Sequence, residues 1–120
     1  YDGAKRFETG NMNFSALYGL YACLKFTEGW EEDIQEQIVF LSNSLREQLS
    51  QIEEVRLLTD HVSISGITLF TAPNLEKIAE TLKAEKYKFS MRGGIRVSLH
   101  FYNKQGEINH LIELVKSALK

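Results

Sequence analysis

The feature that most constrains this chain is a change of hydrophobic period just past residue 52. Upstream, Ile34, Ile38, Leu41, Leu45, Leu49 and Ile52 recur every three or four residues, the stripe of one long amphipathic helix. Downstream the period shortens to two. Val55 and Leu57 alternate with Glu54 and Arg56, and Ser63 to Thr71 is rich in β-branched residues. A chain that changes from helical spacing to alternation, and later back again, has to pack helices against a sheet.

The remaining elements follow from the same two periods and from turn chemistry. Asn13 is placed to cap a helix carrying Phe14, Leu17, Tyr18, Tyr21 and Leu24 on one face, ended by Thr27-Glu28-Gly29. Glu31-Glu32-Asp33 then puts negative charge in the first turn of the long helix, where it complements the helix dipole. Ala72-Pro73-Asn74 closes the second strand with a turn and a cap, and Leu75, Ile78, Ala79 and Leu82 form a short helix. Tyr87, Phe89 and Met91 alternate with Lys88 and Ser90. Gly93-Gly94 suits the positive φ angles of a tight hairpin, and Ile95, Val97 and Leu99 form the return strand. Ile108, Leu111, Ile112, Val115 and Leu119 make a C-terminal helix. The order is α-α-β-β-α-β-β-α, which predicts an α+β fold: an antiparallel four-stranded sheet with helices on one face, close to a ferredoxin-like arrangement. The other sheet face then needs a covering from outside the chain.

Composition narrows the function classes. The formal net charge of -2 provides no basic face for nucleic acid, and the sheet lacks the exposed aromatic pair of an RNA-stacking platform. No apolar run approaches the roughly 20 residues that span a bilayer, so no membrane partner is expected. One cysteine, Cys23, excludes an internal disulfide and favours a reducing, cytoplasmic setting, with the thiol expected to be buried in its helix. The opening Tyr1-Asp2-Gly3, polar and without methionine, reads as a cut inside a longer protein.

Chemistry gathers on the return strand. Alternation puts Ile95, Val97 and Leu99 on one side and Arg96, Ser98 and His100 on the other. By spacing alone two readings stay open: a solvated sheet face, or an anion site in which a guanidinium fork grips a carboxylate. Arg92, just before the hairpin, adds a second positive charge nearby. His61, His100 and His110 show no metal-ligand spacing, so no metal is expected. Ser98 has no base placed beside it for a nucleophilic role. Tyr102 is expected to pack between the last strand and the last helix.

Three segments resemble one family. Gly94-Ile95-Arg96-Val97-Ser98-Leu99-His100-Phe101-Tyr102-Asn103, followed by Glu107-Ile108, is similar to the closing signature of class-V aminotransferases, the fold-type-I pyridoxal-phosphate enzymes that include cysteine desulfurases, selenocysteine lyases and isopenicillin-N-epimerase-like proteins. Arg6-Phe7-Glu8-Thr9-Gly10-Asn11-Met12-Asn13-Phe14 resembles the family's R-F-E-x-G-T-P-N segment, and Ser65-Gly66-Ile67-Thr68-Leu69-Phe70 its S-G-I-hydrophobic-F strand. The resemblance implies that Arg96 binds the α-carboxylate of an amino-acid substrate, with Arg92 and His100 as further substrate-side candidates. It also implies that Gly10 and Asn11 approach the phosphate of pyridoxal 5'-phosphate across a homodimer interface, although Asn11 stands where threonine is usual.

Other departures matter too. Lys104 replaces the threonine after Tyr102-Asn103, leaving Asn103 as the expected helix cap. Gly93-Gly94 joins the last two strands directly, leaving no loop for the persulfide-forming cysteine of the desulfurases. The family's Schiff-base lysine and ring aspartate lie in a large domain upstream of these segments. No catalytic residue is therefore expected in this chain, and alone it should be inactive. Residues 1–28 read as the segment and helix leading out of that large domain, and 29–120 as the C-terminal small domain. The resemblance leaves the reaction open among transamination, lyase chemistry and epimerisation. The alternative is a free-standing ferredoxin-like module that binds a small molecule.

Overall fold

The computed structural model describes residues 3–7, 10 and 12–120, in two compact units that meet in sequence between Glu32 and Asp33. In the first unit a 3₁₀ turn, Ala4–Phe7, precedes helix α1, Phe14–Thr27. Asn13 caps α1 as expected, its side-chain oxygen accepting the Ala16 N–H at 3.1 Å. The Thr27 hydroxyl donates back to the Cys23 and Leu24 carbonyls, and Gly29, at φ 86°, donates its N–H to the Glu31 carboxylate at 2.8 Å. No residue of α1 is buried, and Cys23 is exposed rather than the buried thiol expected. Its large apolar side chains, among them Leu17, Leu20, Leu24 and Phe26, are all exposed.

Helix α2 spans Glu31–Ser50, and the second unit continues with β1 (Arg56–Leu57), β2 (Ile67–Thr71), α3 (Leu75–Ala84), β3 (Ser90–Met91), β4 (Ile95–Ser98) and α4 (Gln105–Leu119). The strands lie in the order β1-β2-β4-β3, and every neighbouring pair is antiparallel. Phe70, Ile95 and Val97 point inward from the sheet into a core built on Leu41, Leu45 and Leu49 of α2, with α3 and α4 completing it. Full burial of each such side chain contributes about 1.5–3 kcal/mol. This is the α+β arrangement, a four-stranded antiparallel sheet under helices, that the two periods predict. No helix among the described residues is long and apolar enough to cross a membrane.

Boundaries differ from expectation where side chains and turns capture backbone groups. Strand β2 begins at Ile67, not Ser63, because the buried Arg46 guanidinium takes the carbonyls of Ser63 and Ser65. Strand β3 is only Ser90–Met91. Before it, Lys86 ends α3 in the left-handed region (φ 64°), and the Lys86 and Tyr87 N–H groups return to the Lys83 and Leu82 carbonyls. Asn74 holds the N-cap position of α3 at φ 54° but makes no side-chain cap bond. Lys104, not Asn103, is the N-cap of α4: its N–H donates to the Glu107 carboxylate at 2.8 Å, while Asn103 instead accepts the His100 N–H at 2.8 Å.

Candidate functional site

The sheet face turned away from the core is set by cross-strand pairing. Arg56 faces Thr71, Leu69 faces Arg96, Ile67 faces Ser98, and Arg96 faces Ser90 on its other side. Arg96 therefore stands on a central strand between a leucine and a serine. The strands carry two arginines, Arg56 and Arg96, and no acidic residue, so the local field favours an anion. Arg96 is partly buried, and among the described residues its guanidinium has neither a hydrogen bond nor an ion pair. A planar fork held on a rigid strand, with its donors uncommitted, is suited to two parallel hydrogen bonds with a carboxylate.

The hairpin beside it spans Arg92–Gly94. Arg92 is exposed, and its N–H donates to the Gly94 carbonyl at 2.9 Å. Only Gly93 takes the positive φ, 70°, that a tight turn requires. Gly94 is needed for a different reason: a Cβ there would sit 2.5 Å from the Phe70 carbonyl oxygen of β2. Both glycines thus serve the turn that presents the two arginines.

His100 lies past the end of β4, in a turn rather than on the strand. Its ring stacks on Tyr102 at 4.8 Å and 18° and meets Phe101 at 4.7 Å. Tyr102 is 69% exposed instead of packed under the last helix, because it closes this aromatic cluster on the surface. Gly10 is exposed at φ 152°, with open space around its α-carbon. Glu8, Thr9 and Asn11, the rest of that motif's polar core, lie outside the described residues.

Two clefts lie away from Arg96. One, about 480 Å³, is lined by Tyr87, Tyr102, Asn103, Glu107 and His110; the other, about 490 Å³, by Asn43, Arg46, His61 and Ser63. Cleft size does not point to the arginine face, which is open sheet surface; charge and pairing do. In the first cleft the Tyr87 hydroxyl donates to the Glu107 carbonyl at 2.9 Å and meets His110 Nδ1 at 3.2 Å. Burial raises its phenol above the usual value, and Glu107 and Glu85 add to the effect. The Glu107 carboxyl is lowered, first by the Lys104 N–H and then by the Asn103 amide. Burial likewise lowers the Arg46 guanidinium, with Asp60 opposing the change. The sequence shows Arg46 only as one polar position among many on α2, and reading the helix as a single apolar stripe misses it. Its signal is weak: Ser42 and Arg46 repeat beside Leu41 and Leu45 at the same spacing.

The fold is thus an antiparallel sheet under helices, with an uncommitted arginine on a central strand of its outer face. The class-V aminotransferase family model matches residues 1–111, and the chain belongs to that family. It is 29% identical over 134 aligned positions to a probable cysteine desulfurase of Mycoplasma genitalium, covering 98% of this chain and 32% of that protein. Among solved structures it matches the cystine C–S lyase C-DES in complex with its reaction product cysteine persulfide, at 27% identity and a TM-score of 0.76, with 98% of this chain and 32% of that one covered. A lysine-to-alanine variant of C-DES with glycine covalently linked to the PLP cofactor matches equally. A NifS-like protein from Rickettsia africae shares the fold at 19% identity and a TM-score of 0.76, over 92% of this chain and 36% of that one. The chain thus spans about a third of the length of the relatives it matches.

Proposed function

We propose that this chain is the C-terminal part of a PLP-dependent enzyme acting on an amino acid, and that Arg96 binds the substrate carboxylate. Residues 29–120 are the small domain and residues 1–28 its connection to the rest. The observation that carries this is the uncommitted Arg96 fork on an acid-free sheet face, in a chain of the class-V aminotransferase family. Arg92 stands on the adjoining hairpin as a second cation for the same anion, and His100 flanks the far end of β4. PLP, when bound, supplies the electron sink that stabilises a carbanion at Cα. The described residues suit the substrate's carboxylate better than the cofactor itself: the acid-free arginine face offers no lysine. Gly10 and Asn11 are the positions for a phosphate contact in a homodimer. What this chain contributes is orientation, because anchoring the carboxylate fixes which Cα bond can react. Without the lysine-bearing remainder it is inactive. The hairpin between β3 and β4 holds no cysteine, which favours chemistry other than desulfuration through a hairpin persulfide.

The test is Arg96→Lys in the full-length protein. Lysine keeps the charge but not the fork, so amino-acid affinity should drop well over tenfold while PLP binding, followed by its visible absorbance, stays the same. Unchanged affinity and turnover would rule out the carboxylate role.

A further inference from the structure

The serine across from Arg96 has no evident job. Ser90 is the cross-strand partner of Arg96 in the β3–β4 ladder, so both side chains rise from the same face with Cβ atoms about 4.5–5.5 Å apart. The Ser90 hydroxyl oxygen is shielded from solvent and has no hydrogen-bond partner. Leaving such a group unsatisfied is unfavourable, and native folds rarely tolerate it without cause. On the other side of Arg96 stands Leu69, which offers no acceptor. Along β4 the same-face neighbours are Gly94, which has no side chain, and Ser98, which is exposed and free to bond water. An orphan acceptor and an orphan set of donors therefore sit side by side. Each is what the other lacks.

We propose that Ser90 is a positioning residue for the carboxylate site: its hydroxyl oxygen accepts one guanidinium N–H of Arg96 and aims the remaining donors at the substrate carboxylate. The inference rests on the carboxylate reading of Arg96 and goes beyond it by naming what orients the fork. An arginine has five N–H donors, of which a bidentate carboxylate uses two, so one can be given to the serine without loss of grip. The bond forms when the side chain lies across β3. This limits the rotamers available to a long, otherwise free side chain and lowers the ordering cost of binding.

The experiment uses the full-length protein with PLP bound, and titrates glycine and methylamine, a pair differing by the carboxylate, following the visible absorbance of the cofactor. Ser90→Ala is expected to weaken glycine about tenfold and leave methylamine unchanged, a fold-change typical of one lost hydrogen bond to a charged group. Ser90→Thr, which keeps the hydroxyl and suits a strand, should restore glycine affinity. In an Arg96→Lys background the Ser90→Ala effect should vanish, since the two residues act as one unit. Equal weakening of glycine and methylamine would mean a merely structural role and overturn the inference. So would unchanged glycine affinity in Ser90→Ala alongside a loss in Arg96→Lys, which would leave the Arg96 reading intact. If neither variant changes glycine affinity, the Arg96 reading itself is wrong. Should Ser90→Ala fail to fold, Ser90→Cys, similar in size but a weak acceptor, gives the same comparison.

Discussion

The Arg46 guanidinium of α2 donates to the Ser63 carbonyl at 2.6 Å, tying the long helix to the loop that leads into β2. A second nitrogen takes the Ser65 carbonyl, and a third contact goes to Asn43 at 3.1 Å. The side chain is 1% exposed, and among the described residues no carboxylate lies in ion-pair range, so neutral acceptors hold a buried cation. Arg46→Ala should orphan two backbone carbonyls at about 1–3 kcal/mol each, less whatever water restores. Urea unfolding of the full-length protein measures the loss. A change within about 0.5 kcal/mol, the range of an ordinary surface substitution, would show that the clamp is not structural.

The two hairpin glycines should respond differently to substitution. Gly94→Ala drives a Cβ to 2.5 Å from the Phe70 carbonyl oxygen, a rigid backbone atom, so β4 must move away from β2. Gly93→Asn meets open space and needs only the left-handed conformation that asparagine tolerates. Protection of the sheet amides from hydrogen exchange should therefore drop sharply in the first variant and little in the second. Equal effects would show that close approach to Phe70 does not govern position 94.

These cases show why part of the fold is legible in the sequence and part is not. Helix and strand identities rest on apolar period, and Leu41, Leu45 and Leu49 or Ile95 and Val97 announce it directly. Arg96 is legible for the same reason, since alternation alone puts it opposite the core. Strand ends are not legible, because they depend on who captures a carbonyl. Nothing local in Ser63 to Gly66 reveals that Arg46, 17 residues earlier, will take the Ser63 oxygen. The orphan hydroxyl of Ser90 is equally silent, since it exists only once β3 pairs with β4.

Glu107 should make α4 sensitive to acid. Its folded carboxyl is lowered by the Lys104 N–H and the Asn103 amide, so the charged form is what the helix start prefers. A group lowered in the folded state gives stability that is present above the unfolded carboxylate range and is lost as pH falls through the folded value. The stability gap between the parent protein and Glu107→Gln should thus be open at neutral pH and close in acid. Unfolding midpoints compared at several pH values read this directly, and a gap independent of pH would exclude the charged cap.

Tyr87 gives the opposite sign at the alkaline end. Burial, then the charges of Glu107 and Glu85, hold its phenol above the ordinary tyrosine value, so the neutral form is favoured in the fold. Its stabilisation is present below the unfolded value and is lost as pH rises through the folded one. The neutral hydroxyl is also the species that can donate to the Glu107 carbonyl at the start of α4, which a phenolate cannot do. Tyr87→Phe removes that donor and should cost about 0.5–1.5 kcal/mol near neutrality. The phenolate absorbance of the parent minus that of Tyr87→Phe isolates one tyrosine, which should ionise above the ordinary tyrosine value. Ionisation at the ordinary tyrosine value would mean that the cleft around Tyr87 is open to water and that the hydroxyl bond does not hold α4 in place.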